Sequence, residues 1–161
     1  FSIVTMTQKI SYSGPKIALY QPDIPQNTAA IVRTCSCLGV QLEIIEPCGF
    51  LLSDSRFKRV VMDYMDISSI NFYKSYEEFA ESKKNKRIIL ATTKAKDIYT
   101  DFNFKKDDTL LFGRESSGVP ESLHKSIKFK IKIPMNENKR SLNLATSAAI
   151  IISESLRQIF Y

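Results

Sequence analysis

Two apolar runs in the last third of the chain stop abruptly, and the way they stop constrains the fold more than any other feature. Leu110-Leu111-Phe112 gives way to Gly113-Arg114-Glu115-Ser116-Ser117-Gly118-Val119-Pro120. Downstream, Ile133-Pro134-Met135 gives way to a polar stretch and then to Ser141-Leu142-Asn143-Leu144-Ala145. Each run has strand character and ends at small, polar or turn-forming residues. Strand ends of this kind are where α/β proteins place binding loops, because the strand is a rigid support and the loop has free backbone donors. A third polar cluster, over 27–33, lies far upstream and can complete a pocket with the other two.

The rest of the chain alternates strand-like and helix-like segments. Strands are predicted over 17–20, 42–45, 67–73, 87–92, 109–112 and 129–133. Between them, Ala30, Ile31, Thr34, Cys35 and Leu38 recur at helical spacing, and Gly39 is a natural stop. Asp54 can cap a short basic helix carrying Arg56, Lys58 and Arg59. Ser75 and Glu78 form a capping box that opens another helix. A final helix over 143–160 presents Ala145, Ala148, Ala149, Ile152, Leu156 and Ile159 on one broad face. This order implies an α/β domain with a mostly parallel sheet and helices on both faces. At 161 residues the chain is one domain by size, with a loose tail over 1–15 and the folded domain over 16–161.

Composition removes several classes of function. No apolar run approaches the ~20 residues that span a bilayer, so no membrane partner is expected. Residues 1–15 have no apolar core of the kind a signal peptide carries. The net charge is +6, and the pI near 9.2 favours anionic partners, nucleic acid first among them. Three cysteines, Cys35, Cys37 and Cys48, are too few for a disulfide framework and fit a reducing, cytoplasmic setting. They read as buried or semi-buried structural residues. No Cys/His spacing suits a metal, and the single His124 reads as a surface residue. A Gly-x-Gly-x-x-Gly loop and a phosphate-binding Gly-Lys-Ser/Thr loop are both absent.

What remains is polar chemistry at strand ends. Gly113 permits close approach of a ligand to the backbone, Glu115 places an acid in a turn, and Pro120 suits the start of a helix. Ser141 and Asn143 stand at the mouth of the last helix. Either can cap it, or the free helix end can receive an anion. Lys139 and Arg140 are solvated loop charges or phosphate contacts. Asn27 and Arg33 are ~1.7 helical turns apart and so point in different directions, with Asn27 read as the cap of its helix.

At these three segments the chain resembles the SPOUT superfamily of S-adenosylmethionine-dependent RNA methyltransferases. Asn27-Thr28-Ala29-Ala30-Ile31-Val32-Arg33 matches the family pattern Asn-x-Gly-x-x-x-Arg, with Ala29 standing where the family has glycine. Phe112 to Val119 and Ile133-Pro134-Met135 with Ser141-Leu142-Asn143-Leu144 match the second and third patterns, in order and with family spacing. Tyr20 to Thr28, Ile44 to Phe50, Leu90 to Lys94 and Leu156-Arg157-Gln158 are similar to the small subfamily without an added RNA-binding domain.

The resemblance implies a C-terminal deep trefoil knot. It also implies ribose 2′-O-methylation of the wobble nucleotide, cytidine or a modified uridine, in tRNA anticodon loops. The cofactor would be S-adenosylmethionine, with S-adenosylhomocysteine as product and no metal. Ala91, Gly113, Ile133, Ser141 and Leu142 would hold it. Arg33, Asn27, Glu115 and Asn143 would form the catalytic set, and Lys139 and Arg140 would contact RNA. A homodimer with its active site at the subunit interface is implied too. The alternatives are a methyltransferase of the same superfamily acting on another RNA, ribosomal or at another tRNA position, and a noncatalytic RNA- or cofactor-binding module.

Overall fold

In β1 (Lys16–Tyr20), the side chains of Ile17 and Leu19 go to one core and those of Ala18 and Tyr20 to another. That period of two runs through the whole domain. The computed structural model describes residues 13–64, 69–139 and 141–161. Among them, β1 is joined by β2 (Leu42–Ile45), β3 (Asn71–Tyr73), β4 (Ile88–Ala91), β5 (Asp97–Ile98), β6 (Thr109–Phe112) and β7 (Phe129–Lys132). They form one sheet in the order β3-β2-β1-β6-β4-β7-β5, and every neighbouring pair is parallel.

Helices cover both faces. α1 (Pro25–Leu38), α2 (Ser55–Tyr64) and α5 (Leu144–Phe160) pack on the face of Ile17, Leu42, Ile44, Leu110 and Phe112, burying Ile31, Val32, Phe57, Val61, Ile151 and Ile152. Each fully buried side chain of this kind contributes about 1.5–3 kcal/mol. α3 (Tyr76–Ser82) and α4 (Glu121–Ser126) cover the opposite face, where Phe79 and Leu123 meet Ala18, Ile45, Leu90 and Leu111.

Local signals in the sequence account for most element ends. α1 stops at Gly39, which adopts φ 69°. Ser75 Oγ accepts from the N–H of Glu78 at 3.1 Å, as the expected box requires, and Glu78 Oε2 reaches back to the N–H of Lys74 at 2.7 Å, one residue before the cap. Asp54 Oδ1 accepts from the N–H of Arg56 at 2.9 Å, as its capping role requires. Inside the α3 face lies a fully buried Glu43. It is ion-paired to Lys83 and accepts from Tyr73 Oη at 2.8 Å and Asn71 Nδ2 at 3.3 Å.

Some expectations shift. The third strand was expected over 67–73 but occupies Asn71–Tyr73, and residues 67 and 68 lie outside the described ones. β5 was not foreseen, because two residues amid Lys94, Lys96 and Asp97 carry no apolar period. Cys35 is buried and Cys48 half-buried as expected, but Cys37 is exposed on the outer side of α1. The expected tail over 1–15 falls mostly outside the described residues.

The strand order positions the site. The chain runs outward from β1 to β3, then crosses to lay β4 on the far side of β6. The reversal therefore lies around β1, β6 and β4. Parallel sheets leave a crevice at the carboxyl ends of strands beside such a reversal. Phe112 ends there in register with Leu19 of β1 and with Ala91 of β4.

Candidate functional site

The loop after β6 closes tightly on itself. The N–H of Arg114 donates to Gly118 O at 3.0 Å, and the N–H of Gly118 donates to Arg114 O at 2.9 Å. A Cβ on Gly113 would lie 2.6 Å from Gly118 Cα, so any side chain there collides with backbone. Gly118 closes the turn at φ +67°, where L side chains are strained. The result is a compact loop that offers Glu115 and Ser116 toward the start of α1.

Glu115 Oε2 accepts from the N–H groups of Asp23 and Ile24, at 3.1 and 2.7 Å. This corrects the reading of Asn27. The cap position of α1 is Ile24, which makes no side-chain cap bond, and Pro25 fills the first helical position. A proline there has no N–H to satisfy. Asn27 sits one turn further in, and its Oδ1 accepts from Asn143 Nδ2 at 3.0 Å. Asn143 also caps α5, accepting from the N–H of Thr146 at 3.2 Å. One amide thereby ties the beginnings of α1 and α5 together. Of the two capping candidates at that helix mouth, Asn143 takes the role and Ser141 does not.

Between these loops lies a cavity of about 570 Å³. Ala91, Gly113, Ile133, Ser141 and Leu142 all line it, as do Asn27, Glu115 and Asn143. Three segments far apart in sequence are thus brought to one site. Arg33 is not among the lining residues. It is exposed, with its guanidinium carbon 4.9 Å from the centre of the Tyr64 ring. Lys139 is exposed on the loop before α5, and Arg140 lies outside the described residues. Ala29 is 3% exposed, packed in the core, and does not reach the cavity.

Sequence reasoning missed other lining residues. His124, expected on the surface, is half-buried at the cavity wall, with Nε2 3.3 Å from Thr92 Oγ1. Thr92, Lys94, Met135 and Ser147 also line it. A lone histidine in a six-residue helix carries no local sign of what it faces; only the placement of α4 against the end of β4 reveals it.

The electrostatics single out Glu115. Burial, then the carboxyl of Asp23 beside it, pushes its pKa up to about 7. Asp23 is held below the usual carboxylate range, first by its hydrogen bond with Glu115 and further by Ser116 and Arg114, whose Nη2 lies 3.6 Å from Asp23 Oδ2. Cys48 is pushed up to about 11, chiefly by burial, and stays a neutral thiol. Among the described residues no group of His, Cys, Asp or Glu is placed to hold a metal ion, and no helix is long and apolar enough to cross a membrane.

The cavity suits an organic cofactor. Its volume falls in the range of small-molecule sites, ~300–1,000 Å³. Its wall at Gly113 is bare backbone, and Ser141 and Asn143 add polar groups at its mouth. A parallel α/β sheet with a cavity at its strand reversal is the arrangement in which α/β proteins place their ligands. The chain belongs to the SpoU rRNA Methylase family, whose model matches residues 15–153.

A tRNA (cytidine(34)-2′-O)-methyltransferase of Beijerinckia indica subsp. indica is 48% identical over 145 residues, 89% of this chain and 91% of that protein. A solved structure concerned with 2-OH methylation of C/U34 on tRNA superposes with a TM-score of 0.83 at 35% identity, over 89% of this chain and 95% of the other. An AdoMet-bound rRNA methyltransferase of Sinorhizobium meliloti has a TM-score of 0.78 at 21% identity, over 92% of this chain and 57% of its own; that likeness is one of fold.

Proposed function

We propose that the protein is an S-adenosylmethionine-dependent methyltransferase acting on the ribose 2′-oxygen of the wobble nucleotide, cytidine or a modified uridine, in tRNA. The observation that carries this reading is the cavity. It gathers Asn27, Gly113, Glu115, Ser141 and Asn143, the same residues whose patterns the family shares. The 48% identical relative named for that reaction supports the substrate.

The bound cofactor supplies an electrophilic methyl group on a sulfonium sulfur. The chain's part is to hold, orient and exclude. Gly113, Ile133, Ser141 and Leu142 enclose the donor, and Ala91 leaves room at the end of β4. A ribose hydroxyl is a weak nucleophile, so alignment carries much of the rate. A guanidinium such as that of Arg33 is a donor and offers no acceptor for a proton. Its role is to grip a phosphate beside the target ribose and aim the hydroxyl; the proton passes to that phosphate oxygen. Asn27 and Asn143, bonded to each other, set the α1 helix from which Arg33 projects.

Arg33 lies outside its own cavity, and this favours a homodimer in which each cavity is completed across the interface. Residues 113–119 and 133–143 would form the loops of the trefoil knot. Lys139 and Arg140, with the net charge of +6, would meet the anticodon loop, and a cytoplasmic setting matches that substrate.

The test is nucleoside mass spectrometry of tRNA incubated with protein and S-adenosylmethionine. Ribose methylation at position 34 is expected. Methylation of ribosomal RNA instead would assign the other substrate, and no transfer to any RNA would leave a binding module. Mixing Arg33→Ala with Glu115→Gln protein should restore up to about a quarter of the activity if cavities are shared between subunits; no rescue overturns the shared site.

A further inference from the structure

Two strand-end loops close on Asp23, which lies in the loop between β1 and α1. The loop after β6 reaches it through Glu115, which accepts the Asp23 and Ile24 N–H groups, and through Ser116, whose hydroxyl donates to Asp23 Oδ2. Arg114 flanks the same oxygen at 3.6 Å. The loop after β2 reaches it through Gly49, whose N–H donates to Pro22 O at 2.8 Å. A Cβ on Gly49 would stand 2.6 Å from Asp23 Cβ, so that loop closes over Asp23 only because position 49 has no side chain.

The acceptor oxygens do not balance. Glu115 Oε2 is satisfied by two backbone donors. Glu115 Oε1 and Asp23 Oδ1 are both buried and face no protein donor. Two buried acceptors left this way are costly. Glu115 is held against Asp23 by the Asp23 and Ile24 N–H groups, and a single proton between the two carboxyl groups would satisfy both orphaned oxygens.

We propose that Asp23 is a positioning residue, sharing a proton with Glu115 in a carboxyl–carboxylate clasp that fixes the 113–118 loop, and hence the cavity wall, against the start of α1. The inference rests on reading that cavity as the methyl-donor site. With the proton in place the pair carries one negative charge, balanced by Arg114. Once the proton is lost the two carboxylates repel and the loop loosens. From the β2 side the titratable groups are Glu115's neighbour Cys48, whose thiol stays neutral, and Glu46, which acts on that thiol. From α1 the pair is faced by the uncharged Asn27. The raised pKa of Glu115, about 7, and the lowered one of Asp23 agree with one proton held jointly.

The first test needs no ligand. Carbon-13 carboxyl titration of the free protein should show Glu115 ionising near 7. Asp23→Asn should lower that midpoint by about one unit or more, because the neighbouring charge is gone and an amide donor replaces it. Glu115 ionising in the ordinary range near ~4.3 in the unmodified protein overturns the clasp.

The second test is calorimetry with S-adenosylhomocysteine at pH 6 and 8.5. Binding by the unmodified protein should weaken several-fold at the higher pH, and Asp23→Asn should flatten that difference. Asp23→Ala should bind about tenfold more weakly at both, as loss of a charged hydrogen bond implies. Gly49→Ala, which displaces Asp23 without removing a carboxyl, should weaken binding in the same sense. Equal affinity in every variant overturns the positioning role. Failure of the unmodified protein to bind S-adenosylhomocysteine at all counts against the proposed function, while the titration still decides the clasp.

Discussion

Glu43, within β2, and Glu115, in the loop after β6, are both acids drawn out of water, and their neighbours give them different characters. Glu43 is fully buried with a cation, Lys83, and two neutral donors, Tyr73 and Asn71. Each of these partners is a cation or a donor to its carboxylate. Glu115 is half-buried beside another carboxyl, and its pKa rises to about 7. Burial with a countercharge makes a fixed strut between β2, β3 and α3. Burial with a like charge makes a group that changes state near neutrality. The same residue type is scaffold on one side of the sheet and a candidate for chemistry at its crevice.

The sharpest way to break this contrast is to remove the countercharge. Lys83→Met leaves Glu43 buried and unpaired and should cost about 3–5 kcal/mol of stability, read as a lower urea midpoint. Adding Glu43→Met should recover most of that loss. A cost below ~1 kcal/mol for the single change would make the pair no stronger than a surface one. A smaller effect is expected for Tyr73→Phe, which deletes a 2.8 Å hydrogen bond to the carboxylate; about 1.5 kcal/mol fits a bond to a charged acceptor.

The smallest effect belongs to Glu115. Its folded pKa lies above its unfolded value, so the folded state binds the proton more tightly. Its contribution is therefore complete below the ordinary range and fades as pH rises through about 7. Screening of a half-exposed group reduces this to about 1 kcal/mol. Denaturant midpoints should fall between pH 5 and pH 8 by about that amount, and Glu115→Gln should abolish the slope. Asp23, with its lowered pKa, acts in a separate window: its contribution is lost only as pH drops below the usual carboxylate range. A midpoint flat from pH 5 to 8 would erase the distinction between the two glutamates.

Much of the fold was legible because its signals are local. The box at Ser75 and Glu78 spans four residues, the stop at Gly39 is one residue, and the face of α5 repeats every turn. The site was legible in another way, through three patterned loops that the sheet order brings to one crevice. What escaped was set by partners distant in sequence. Asn27 was read as a cap, but its amide is engaged by Asn143, 116 residues on. Asp23 meets Ser116 across 93 residues, and nothing in Pro22-Asp23-Ile24 foretells it. β5 pairs with β7 through two residues, too short for any period to emerge. Arg33 is catalytic by resemblance alone; its guanidinium lies over the Tyr64 ring and is not among the groups lining the cavity.

The parallel register of β6 also determines which changes to its length the domain tolerates. Thr109 to Phe112 are paired on both sides, with Lys16 to Leu19 and with Ile88 to Ala91. Removing one residue from β6 would exchange the faces of Leu110 and Leu111, moving each into the core that suits the other, and would draw Gly113 back by about 3.3 Å. The glycine loop would then no longer meet α1. Substitutions within β6 trade one apolar side chain for another in a fixed place. Deletions and insertions move the crevice itself, so variation in chain length belongs in connections away from it.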